Sequence, residues 1–125
     1  MEAQPGAWYI ICCEQGKIPV KKADIVMLKG DGSSVTFYVM DDYEQRGYRT
    51  IPVGKNLKPY ENAIHEDLVR INQKHIVNLK HVLVLQKEHG VLLRLPVGYQ
   101  THITRPYLKS IQALLGLHKE KKTLA

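Results

Sequence analysis

Cysteine is scarce in this 125-residue chain, and the two that occur, Cys12 and Cys13, are adjacent. Neighbouring cysteines seldom close a structural disulfide, because so short a ring strains the bond geometry. They also lack the spaced partners of a zinc site. A reducing cytoplasm is therefore the expected home. No apolar run approaches the length that spans a bilayer, which excludes a membrane helix. Trp8–Cys13 is apolar, but acidic Glu2 precedes it and no basic n-region is present, which argues against a signal peptide. Internal repeats and low-complexity tracts are absent. Catalytic signatures are missing too: there is no Gly-x-Ser-x-Gly, no Gly-rich phosphate loop ending in Lys-Ser/Thr, and no His-Glu-x-x-His. Asp41-Asp42 would point to opposite faces of an extended segment, which does not suit paired acid/base work. Of the six histidines, His75 and His81 have no Cys or carboxylate at tight ligand spacing and His65, His89 and His118 fall at expected surface positions, so neither a metal nor another cofactor is expected. The chain reads as a non-enzyme.

What is present is ordinary bulk and a basic balance. Apolar residues make up 44 % and charged residues 24 %, and the formal net charge is +6. One domain with one core is expected at this length. The charge favours an anionic partner such as nucleic acid. Few aromatics are interleaved with the basic residues, which argues against RNA.

Strands dominate the pattern. Ala7–Cys13 reads as a strand, Glu14–Lys17 turns at Gly16, and Ile18–Lys22, with Pro19, reads as a connector. Ala23–Lys29 carries the continuous run Ile25–Leu28. Gly30-Asp31-Gly32-Ser33 is a turn, and Ser34–Met40 returns as a strand. Tyr48–Val53 contains Pro52, which suits an edge. Asn56 opens an expected helix over Leu57–Ile64. Val82–Gln86, Val91–Leu95 and Tyr99–Ile103 complete the strands. Thr104 starts a closing helix that runs to about Leu115, with Gly116 as its stop. A helix-turn-helix is disfavoured, because Ile76-Val77 and the asparagines around them break up the second helix it would need.

Three polar places cluster donors: the Gly/Ser hairpin tip, the turn Asn72–His75, and the helix start Thr104–Lys109. Asn, Gln, Lys and Arg are the side chains that read base edges and hold phosphates. Each of the three, taken alone, also fits an ordinary polar loop.

The stretch Val69-Arg70-Ile71, followed by Ile76-Val77-Asn78-Leu79-Lys80-His81-Val82, resembles a signature of the LytTR family of bacterial DNA-binding domains. Ile103-Thr104-Arg105-Pro106-Tyr107-Leu108 is similar to the family's V-S-R-x-Y-L, and Ile25–Thr36 is similar to its opening hairpin. The resemblance implies a mainly β, elongated antiparallel fold of about ten short strands with one or two short helices. It implies sequence-specific binding of double-stranded DNA by a transcriptional regulator of the response-regulator type, whose loops enter successive major grooves. Carried onto this chain, the base-reading candidates are Ser33, Ser34, Asn72, Gln73 and Arg105. The phosphate candidates are Lys29, Lys74, His75, Lys80, Tyr107 and Lys109. Where the family has His-Arg-Ser or similar after R-I, this chain has Asn72-Gln73-Lys74, which alters the expected target sequence. The expected divisions are an N-terminal extension or remnant linker (1–22), the DNA-binding domain (23–116) and a basic tail (117–125). A phospho-accepting receiver domain cannot fit in 1–22, so the expectation is a stand-alone protein or an excised output domain in a two-component system. A second copy on repeated half-sites, and a receiver domain or sensor, are the further partners considered. The alternative is a protein-interaction module on the same fold that has lost DNA binding.

Overall fold

Runs of β-branched and aromatic residues, broken at glycine-bearing turns, favour antiparallel strands. The computed structural model describes residues 5–54, 56–61, 63–86, 91–95 and 98–108. Ten strands follow one another among them: β1 (Trp8–Cys13), β2 (Gly16–Lys21), β3 (Ile25–Asp31), β4 (Ser34–Met40), β5 (Tyr48–Val53), β6 (Leu68–Asn72), β7 (His75–Asn78), β8 (Val84–Gln86), β9 (Val91–Leu95) and β10 (Tyr99–Ile103). The fold is mainly β, as expected. The central sheet has the order β5-β4-β3-β7-β6, flanked by the hairpin β1-β2 and the sheet β10-β9-β8.

Strand β3 lies at the centre because its run Ile25-Val26-Met27-Leu28 is apolar on both faces, and all four residues are fully buried. A bulge between Ile25 and Met27 shifts the register with β4. On one face, Leu28, Val35 and Phe37 pack with Ile11 and Val20 of the first hairpin and with Leu57 and Ile64. On the other, Met27, Val69, Ile71 and Val77 pack with Leu95 and Ile103 of the third sheet. The result is three layers. Pro52 stands on the edge strand β5, where its missing N–H breaks no ladder.

Two expectations are corrected. Ile18–Lys22 is not a connector: residues through Lys21 form β2, paired with β1 from Trp8↔Lys21 to Cys13↔Gly16. Segment 1–22 thus holds a folded hairpin, and Tyr9 stacks on Phe37 at 6.1 Å between ring centres. That hairpin is part of the core, not a linker. The helix expected over Leu57–Ile64 is a single 3₁₀ turn at Lys58–Tyr60, after which Glu61 is extended. Packing overrides helix propensity here: Leu57 and Ile64 are buried against the sheet, and Tyr60 meets Phe37 edge-on at 5.4 Å. The closing helix is described over 105–108, and the rest of its expected span lies outside the described residues.

Candidate nucleic-acid interface

Strand β3 runs antiparallel to both β4 and β7. The β3–β4 and β6–β7 turns therefore leave the sheet at the same end. Asp31 pairs with Ser34, leaving Gly32-Ser33 as a two-residue turn, and Gly32 has φ +69°. That left-handed backbone favours glycine. Asp31, Gly32, Ser33 and Ser34 are all exposed, and the Ser34 hydroxyl donates to the Asp31 carbonyl at 3.2 Å. The Gly30 amide donates to the Lys74 carbonyl at 2.7 Å, which ties the two turns together.

The second turn is tighter than the four-residue loop expected. Asn72 pairs with His75, so only Gln73 and Lys74 lie outside the strands, and both are exposed. Two braces hold this turn. From one side, the Arg70 guanidinium donates to the carbonyls of Asn72 (3.0 Å) and Gln73 (2.6 Å) and pairs with Glu61. From the other, the Asn72 amide donates to Thr101 Oγ1 (3.0 Å) and the His102 carbonyl (2.8 Å). Its Oδ1 accepts the Lys74 amide (2.9 Å) and faces His75 Nδ1 (2.8 Å). His75 Nε2 lies 2.7 Å from the Tyr99 hydroxyl. A neutral imidazole protonated on Nδ1 satisfies both contacts, donating to Asn72 and accepting from Tyr99. Burial, then the nearby Lys29 and Lys74 charges, push the His75 pKa down to about 4.

The third element follows β10. The Thr104 amide donates to the Ile71 carbonyl at 3.0 Å, and its own carbonyl accepts the amides of Tyr107 and Leu108. The helix start thus sits beside the β6–β7 turn, and Gln73, Lys74, Thr104, Pro106 and Tyr107 line one shared cleft. Arg105, between Thr104 and Pro106, is exposed, and the Arg70 guanidinium lies 5.7 Å from the Tyr107 ring centre.

The candidate residues therefore separate. Ser33, Ser34, Gln73, Lys74, Arg105 and Tyr107 belong to one end of the sheet. Lys29 is half-buried, its ammonium 5.6 Å from the Tyr99 ring centre. Asn72 and His75 are engaged within the protein. The Asn72 side chain is spent on internal hydrogen bonds, and His75, 8 % exposed and with both ring nitrogens engaged, has no face to offer a phosphate. Lys80 stands apart from that end. It follows the far end of β7, roughly 13 Å or more from the turn, and its ammonium lies 3.9 Å from the Asp67 carboxylate. Lys109 lies outside the described residues. Sequence reasoning passed over Arg70 as a brace. The available signal was its position two and three residues before the carbonyls it holds.

Among the described residues, no group of three or more His, Cys, Asp or Glu could hold a metal ion. Nor is any described helix long and apolar enough to cross a membrane. The model of the LytTr DNA-binding domain family matches residues 15–116. Among solved structures, this chain is similar to the LytTr DNA-binding domain of a Bacillus cereus protein described as a methyl-accepting/DNA response regulator. That match has 20 % identity and a TM-score of 0.67, covering 88 % of this chain and 97 % of the other. No curated protein matches the chain.

Proposed function

The chain belongs to the LytTr DNA-binding domain family, and we propose that it binds double-stranded DNA sequence-specifically as the output domain of a transcriptional regulator. The observation that carries this reading is the convergence of three loops. The β3–β4 tip, the β6–β7 turn and the helix start stand at one end of the sheet, with Ser33, Gln73, Lys74 and Arg105 exposed on them. The net charge of +6 draws the protein to a polyanion. Lys74 then holds the backbone, while Gln73 reads adenine and Arg105 forks onto guanine O6 and N7 in successive major grooves. Backbone groups braced by Arg70 and Asn72 keep those tips in place, so little ordering entropy is lost on binding. A cytoplasmic setting, a second copy on repeated half-sites and a receiver domain or sensor upstream complete this reading.

Selection of preferred sites from randomised duplex DNA tests it, followed by competition between a selected and a scrambled duplex. Arg105→Ala is expected to weaken binding to the selected site roughly tenfold or more, with little change on scrambled duplex. Equal losses on both would reduce Arg105 to a phosphate contact. A wild-type protein with no preferred sequence would overturn the reading. One observation favours the protein-interaction alternative: the exposed carboxylate of Asp31 stands at the hairpin tip, where it repels a phosphate backbone. That alternative expects no duplex binding at all in the same assay.

A further inference from the structure

A fourth segment reaches the same end of the sheet. Residues 56–59 run beside the β3–β4 tip, and Leu57 is buried beneath Gly30 so closely that a Cβ there would lie 3.0 Å from Leu57 Cγ. The segment is further fixed by Asn56, whose side-chain oxygen accepts the Lys58 amide at 3.1 Å. An open cleft results between the tip and the β6–β7 turn, lined by Gly30, Gly32, Lys58, Arg70, Gln73 and Lys74.

The charged side chains that line this cleft are basic, while the Asp31 carboxylate stands at the tip, outside the lining. Arg70 is already paired with Glu61. Lys58 and Lys74 are exposed, and among the described residues neither has a carboxylate within ion-pair distance. Gly32 puts no side chain in the way, and nothing lies within 4 Å of where its Cβ would be. A sugar-phosphate backbone can therefore come close to the main chain.

We infer that a DNA backbone phosphate seats in the cleft between the β3–β4 tip and the β6–β7 turn, held by Lys58 together with Lys74. This makes the 56–59 segment a fourth contact beside the three loops, and it rests on the DNA-binding reading above. A phosphate contact carries no sequence information, so its loss acts on every duplex alike. It also releases one counterion fewer.

Fluorescence anisotropy of wild type and Lys58→Gln, on a selected and a scrambled duplex across a salt series, tests the inference. Lys58→Gln is expected to bind both duplexes about three- to tenfold more weakly near 0.1 M salt, with the slope of log K against log salt smaller by about one. Lys58→Arg is expected to keep the wild-type slope. Lys58 is exposed, so the urea midpoint is expected to hold. Ethylation interference supplies a second readout: one phosphate whose ethylation weakens wild-type binding should cease to matter for Lys58→Gln. An unchanged slope, or a loss confined to the selected site, overturns the inference while leaving the DNA-binding reading intact. Wild-type protein that binds neither duplex overturns both.

Discussion

Asn72→Ala is expected to cost the fold about 3 kcal/mol and more than a factor of ten in affinity for a selected DNA site. The size follows from what the amide touches. Four partners lie within 3.0 Å of it: Thr101 Oγ1, the His102 carbonyl, the Lys74 amide and His75 Nδ1. Truncation leaves the His75 N–H with only Thr101 Oγ1, at 3.4 Å, in a largely dry place. An unsatisfied buried donor costs about 1–3 kcal/mol by itself. The lost strap between β6 and β10 adds to that. Gln73 and Lys74 then keep their side chains but lose a fixed direction. Urea unfolding reads the first effect and anisotropy on a selected duplex the second. A variant with wild-type stability and weaker binding would instead put Asn72 on the DNA itself.

Acidification is expected to remove about 3 kcal/mol of stability through His75 alone. In the unfolded chain the imidazole takes its proton near its ordinary value of 6.5, whereas in the folded protein it does so only at about 4. Below 6.5 the unfolded state binds the proton first and is favoured. The contribution is therefore complete above 6.5, shrinks as pH falls, and is gone below about 4. Urea unfolding of wild type and His75→Gln at several pH values measures it. The difference between the two proteins should narrow as pH falls from 6.5 towards 4, while the other histidines cancel in the comparison. Asn72→Asp gives a check of opposite sign. A carboxylate facing Nδ1 favours the charged ring and raises the folded pKa towards 6.5, so the wild-type loss of stability should shrink and be complete at a higher pH. A wild-type curve parallel to that of His75→Gln would show that His75 titrates normally.

The strand pattern was legible because β propensity and turn chemistry act locally. Ile25–Leu28 is apolar without alternation because both faces of β3 are covered. Pro52 marked an edge, and Gly32 marked a left-handed turn position. The family motifs implied the antiparallel fold of about ten short strands, while the closeness of Ile71 and Thr104 emerged only from the structure. What escaped depends on distant partners. Pro19 and Lys21 look like a linker until β1 pairs with them and Val20 enters the core. Asn72 and His75 look like surface donors until Tyr99, Thr101 and His102 arrive from 24 to 30 residues away. Lys74 and Lys80 are equally basic in the sequence. The four-residue strand β7 sends them to opposite ends of the sheet.

Dimethyl sulfate protection on a selected duplex addresses the placement of the three loops most directly, because it reads guanine N7 in the major groove. The account expects two clusters of protected guanines on one side of the helix, about one turn (roughly 10 base pairs) apart. One cluster should be restored to reactivity by Arg105→Ala and the other left protected. Protection confined to a single short patch, or confined to the minor groove at adenine N3, would contradict it.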